Sequence, residues 1–167
     1  MTALDHRILS TSRVDTARHA QRAREAKYAT ARALGVDADY VAVLVDRFYA
    51  RVRDDALLGP IFAARIADWP GHLDRMNGFW RSILHNSGEF SGNPMLKHLV
   101  IPGLEQRHFA QWLELFYATL RELETHPEAT ALVGERARMI ADSLLTAIVM
   151  RRDGLAAGRE AKDLPHV

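Results

Sequence analysis

Val41, Leu44, Val45, Phe48, Tyr49 and Val52 fall at offsets 0, 3, 4, 7, 8 and 11, one apolar stripe along a helix. His72, Met76, Phe79, Trp80 and Ile83 form a second stripe, on a helix expected over residues 70–84 with Pro70 in its first turn. Phe109, Trp112, Leu113, Phe116, Leu120 and Leu123 form a third, starting near Glu105. Pro127 opens a fourth, with Leu132, Ala137, Ile140, Leu144 and Ile148 inward. No run of strand-type alternation competes with these. The pattern predicts an all-α domain of four main helices.

Shorter features join them. Asp37 or Asp39 can cap the first main helix. Gly59-Pro60 breaks the chain before Ile61 and Phe62, predicting a tight corner. Asn93-Pro94 reads as the cap and first turn of a very short helix over about residues 95–99, which Pro102-Gly103 stops. Residues 86–93 read as a loop. Residues 11–34, rich in Ala, Arg and Glu without Gly or Pro, are helical by propensity but have little apolar surface to bury. They predict a solvated arm, or a helix that docks a second subunit. The resulting division is a basic helical extension over 1–35, a domain over 36–153 and a flexible tail over 154–167.

Composition narrows the chemistry. The chain has 167 residues, 48% of them hydrophobic, enough for one core. A net charge of +1 argues for neither nucleic acid nor an anionic membrane as partner. Without cysteine there is no disulfide, thiolate zinc site, iron–sulfur cluster, thiolate-ligated haem or covalent c-type haem attachment. No apolar run approaches the roughly 20 residues of a membrane span, and no signal-type stretch opens the chain, so a cytoplasmic protein is expected. Dinucleotide, P-loop, nucleophile-elbow and zincin motifs are absent. One ExxH, Glu105 to His108, falls short of the two pairs that a di-iron bundle needs.

Of eight histidines, His6, His19 and His166 lie in polar termini. His85 precedes Asn-Ser-Gly and His126 precedes Pro127, with no partner in view. His72 and His98 differ, because each sits among apolar residues on its own helix. By pattern alone each is more readily a hydrogen-bonded core histidine than a ligand. Taken as a pair from separate helices, with no thiolate or carboxylate to share a bare metal, they fit a planar tetrapyrrole held between them.

The residues also resemble a known family, the truncated haemoglobins, and within it group III. Phe48-Tyr49-Ala50-Arg51-Val52-Arg53-Asp54 with Leu58-Gly59-Pro60-Ile61-Phe62 resembles the family's first pocket helix and corner. Trp69-Pro70-Gly71-His72 with Asn77-Gly78-Phe79-Trp80 resembles its distal helix. Gly92-Asn93-Pro94 with His98-Leu99 resembles the proximal segment, and His108-Phe109 with Trp112-Leu113-Glu114-Leu115-Phe116 the helix after it. The resemblance runs from about residue 36 to residue 152. The Gly-Gly helix breaks of other truncated globins are missing.

The resemblance implies two-over-two helices around a haem b, with an extra N-terminal helix. It implies His98 as proximal iron ligand, with Tyr49, His72 and Trp112 lining the distal side. Phe62, Met76, Phe79, Trp80, Phe109 and Phe116 would wall the haem, and Arg75 or His108 would meet a propionate. The implied function is binding of dioxygen, NO or CO at a five-coordinate iron. An alternative is a haem oxidoreductase, a nitric oxide dioxygenase or peroxidase-like enzyme fed by an unidentified reductase. A non-haem helical interaction module is the reading from a different class. A homodimer through the N-terminal helix is the oligomer that the arm suggests.

Overall fold

The computed structural model describes residues 4–123, 126–154 and 163–167, with residues 4–15 as backbone alone. The described elements are all helices: α1 (Leu4–Ala33), α2 (Ala38–Asp54), α3 (Gly59–Ala63), α4 (Trp69–His85), α5 (Pro94–Leu99), α6 (Gln106–Glu122) and α7 (Pro127–Asp153).

Local chemistry sets their ends. The Asp37 carboxylate accepts the Tyr40 N–H at 2.9 Å and starts α2. Asp68 accepts the Gly71 N–H at 3.1 Å, and Pro70 follows in the first turn of α4. Asn93 and Pro94 repeat that arrangement for α5, with the Asn93 side chain accepting from Leu96 N–H at 3.1 Å. Past α2, Asp55 accepts the N–H groups of Leu57 and Leu58 and also receives Gln111 of α6 at 2.7 Å. That fixes the corner leading into α3.

Two helix pairs make the body. α2 packs on α4, α6 packs on α7, and α2 crosses α6, so one pair lies over the other. Val41, Leu44, Val45, Phe48 and Val52 of α2 share one buried cluster with Leu113, Phe116 and Leu120 of α6 and Val133, Ala137 and Leu145 of α7. On α7 the buried face runs through Val133, Gly134, Ala137, Ala141, Leu144 and Leu145, whereas Leu132, Ile140 and Ile148 are only half-buried. No helix is long and apolar enough to cross a membrane, among the described residues.

Three regions differ from their sequence expectation. α1 starts before residue 11, at Leu4, and its residues 16–26 are exposed, as an arm should be. Its last turns nevertheless dock on the end of α4, where Ala31 is buried and Tyr28 meets the His85 ring edge-on at 5.2 Å. His85 is therefore no loop residue. It closes α4, is 6% exposed, and bonds the Val36 carbonyl through Nε2 at 2.7 Å. A carbonyl can only accept, so Nε2 carries the proton.

The third is the segment expected to be a tail. Residues 155–162 lie outside the described residues, but 163–167 are seated on α6 and α7. Leu164 is 2% exposed. Tyr117 donates its hydroxyl to the Pro165 carbonyl at 3.0 Å, and the Gln106 amide donates to the Asp163 carbonyl at 3.0 Å. Val167 lies over Gly134, where an added Cβ would come within 2.6 Å of its Cβ. Apolar burial and a glycine notch hold this segment, and neither is legible as periodicity.

Candidate functional site

Between the two helix pairs lies a cavity of about 370 Å³, within the ~300–1,000 Å³ typical of small-molecule and cofactor sites. α2 contributes Tyr49, α3 and the following turn Phe62 and Arg65, and α4 His72, Arg75, Met76, Phe79 and Trp80. α5 contributes Lys97 and His98, α6 His108, Phe109 and Trp112, and α7 Ile140, Ala141 and Leu144.

His98 is half-buried on the wall made by α5. Its Nδ1 lies 2.7 Å from the main-chain carbonyl of Pro94, one helical turn earlier. That carbonyl can only accept, so Nδ1 bears the proton and Nε2 is the nitrogen with a free lone pair. Pro94 starts the helix and His98 nearly ends it, so the short α5 fixes this ring within a single turn.

Tyr49, His72 and Trp69 form a second cluster. The Tyr49 ring meets His72 at 5.1 Å and 89°, and Trp69 meets His72 at 5.7 Å and 86°. The Arg53 guanidinium lies 4.8 Å over Trp69 and covers it from outside. Tyr49 is 5% exposed, and burial holds its hydroxyl pKa well above the usual value. His72 Nε2 is buried with no hydrogen-bond partner among the described residues. Burial, then the charges of Arg75 and Lys97, push the His72 pKa down to about 4. Both side chains are therefore neutral at pH 7.

Trp112 reaches the cavity from α6, stacked on Phe116 at 5.3 Å and meeting Phe48 edge-on at 5.2 Å. Phe116 itself does not line the cavity. It is fully buried behind Trp112 and Trp80, stacked on the latter at 4.9 Å, and so supports the wall from the core side. His108 faces the cavity but first serves its helix: its Nδ1 accepts the Glu105 N–H at 3.0 Å, leaving the proton on Nε2. Arg75 is exposed near the opening, where Arg65 and Lys97, two cavity residues that sequence reasoning missed, are exposed as well. Phe90, Ile101 and Leu104 were missed too, and only Phe90, a lone aromatic in a polar loop, carried a readable signal.

Residues 32–145 match the family model for bacterial-like globins. The chain belongs to that family. Within it, this globin is a truncated haemoglobin of group III. It is 34% identical over 110 residues to the group 3 truncated hemoglobin ctb of Campylobacter jejuni, covering 64% of this chain and 86% of that protein. A crystal structure of a group III truncated hemoglobin from Campylobacter jejuni superposes with a TM-score of 0.63 at 33% identity, covering 67% of this chain and 91% of the other. The family match leaves out most of α1 and all that follows Leu145, including the segment seated on Gly134.

Membership implies a haem, and the residues of this globin fit one. Among the described residues no three His, Asp or Glu side chains gather to hold a bare metal ion. An iron already bound by four porphyrin nitrogens needs a single imidazole from the protein, and His98 offers one whose Nδ1 is already engaged by the Pro94 carbonyl. The orphaned Nε2 of His72 marks where this side chain awaits a partner.

Proposed function

We propose that this globin binds a haem b, with His98 as the iron ligand, and carries a diatomic ligand, dioxygen first. The observation that supports this most directly is the His98 ring bonded to Pro94 through Nδ1, with Nε2 left free on the wall of an aromatic cavity. His98 would hold the haem iron, and the haem would supply a metal able to bind one small diatomic ligand.

The chain's own residues divide the work. The Pro94 carbonyl fixes the His98 tautomer and makes Nε2 a stronger donor to iron than a free imidazole. Tyr49 stays protonated and so presents an O–H. His72, uncharged, presents one donor and one acceptor nitrogen, and Trp112 an indole N–H. In a pocket that excludes water, such donors stabilise a partly anionic ligand more than water does. Arg65, Arg75 and Lys97 at the opening suit the carboxylates of the porphyrin edge. With no cysteine in the chain, the haem would be held without c-type thioether bonds.

The test is spectroscopic. Wild-type protein loaded with haemin, reduced and exposed to carbon monoxide is expected to give the spectrum of a histidine-ligated ferrous–carbonyl haem. His98→Ala is expected to lose that signature and recover it with added imidazole. Protein that takes up no haemin, or an axial bond that survives the substitution, overturns the reading.

A further inference from the structure

Residues 86–93 join α4 to α5 and are polar or glycine except for Phe90. Glu89 and Ser91 on either side are exposed, whereas the Phe90 ring turns inward and lines the cavity. It meets Phe79 edge-on, with centroids 5.1 Å apart and planes at 80°. On its other side the ring lies over Gly92, where an added Cβ would stand 2.5 Å from Phe90 Cζ. A loop of this composition does not fold a phenylalanine under itself by propensity. The ring is held by what it touches.

Its fastenings to α4 are polar and lie at or near the surface. The Phe90 N–H donates to Ser82 Oγ at 2.9 Å, and Glu89 pairs with Arg81 at 2.7 Å. Glu89 is exposed and Arg81 half-buried, so water and salt reach the ion pair and weaken it. The inner contact is apolar and belongs to the cavity; the outer ones are easily exchanged for solvent. Between the residues that cap the two helices, Asn86 and Asn93, residues 87–92 can swing away with both helix ends kept, and when they do the cavity loses one wall.

We propose that residues 87–92 are a latch, with Phe90 as its bolt, and that its opening sets the rate at which the prosthetic group leaves this globin. The role concerns retention and is separate from the histidine and donors of the ligand site. It rests on the haem reading for one of its two readouts.

The first readout is transfer of haem to excess apomyoglobin. Loss of an edge-to-face aromatic contact is expected to speed release from Phe90→Ala by about tenfold. Glu89→Gln should speed it less, and the difference from wild type should shrink as salt rises. Equal rates for Phe90→Ala and wild type overturn the proposal. So does a fast Phe90→Ala beside a Glu89→Gln identical to wild type at low salt, since the ring would then be a fixed wall.

The second readout needs no haem. In haem-free protein, amide exchange over residues 87–91 is expected to be faster in Glu89→Gln than in wild type, with α4 and α5 unchanged. Exchange that does not differ overturns the latch. Failure of wild type to take up haem overturns the function proposed above instead, and the exchange result then decides the latch alone.

Discussion

Tyr49 meets His72 edge-on, their ring planes at 89° and centroids 5.1 Å apart, so two neutral polar side chains share one end of an aromatic cavity. The phenol is protonated near neutral pH, and burial moves its pKa further from that range, while burial and two nearby cations lower that of the imidazole and keep it uncharged. On the proposed function, Tyr49→Phe removes one hydrogen bond worth about 1–1.5 kcal/mol. Dioxygen is then expected to leave about tenfold faster. Stopped-flow displacement by carbon monoxide measures this, and an unchanged rate argues that Tyr49 does not reach the ligand.

The same imidazole gives haem-free protein a pH signature. The His72 pKa is about 4 folded against 6.5 for a free histidine. Between these values the unfolded chain binds more protons, so this group makes stability fall as pH drops from about 6.5 to 4, with the loss complete below that. Urea unfolding across this window is expected to be less pH-dependent in His72→Gln than in wild type. Parallel curves contradict the depressed pKa.

Leu164→Ala is expected to cost about 2–3 kcal/mol, as a buried leucine would, because Leu164 is 2% exposed. Gly134 offers a sharper check. A mid-helix Gly→Ala change usually stabilises by about 1 kcal/mol. Here the added methyl would meet Val167, so the gain should be absent in the full chain and appear once residues 163–167 are deleted. Equal effects in both backgrounds mean that the segment is not seated in solution.

His85→Ala leaves the Val36 carbonyl without its donor and removes the ring that Tyr28 touches. A loss of about 1–3 kcal/mol is expected. Limited proteolysis should cut within α1 sooner in the variant than in wild type. If α1 is equally protected in both, its docking does not depend on this histidine.

The four main helices were legible because each repeats its apolar residues at helical spacing, a signal local to the element. The site was legible in part. Tyr49, His72, His98 and Trp112 all reach the one cavity. Phe116 illustrates where periodicity stops. It lies one turn beyond Trp112 on the same stripe, and only the packing of α6 on its neighbours decides which of the two reaches the cavity. Arg65 and Lys97 were illegible for the opposite reason: a cation at a solvated position looks the same whether or not a cavity opens beside it. His85 was hidden by the sequence after it, since Asn86, which ends α4 in a left-handed conformation, reads equally well as the start of a loop.

The cavity's aromatic lining has an optical consequence. Trp80 and Trp112 lie on its wall, and Trp69, the remaining indole of the chain, touches two residues that line it. Every fluorophore that emits strongly is thus within a few ångströms of the space where a strongly absorbing pigment would sit. Intrinsic emission should be quenched as that pigment enters and return as it departs, so the protein reports its own occupancy without a label.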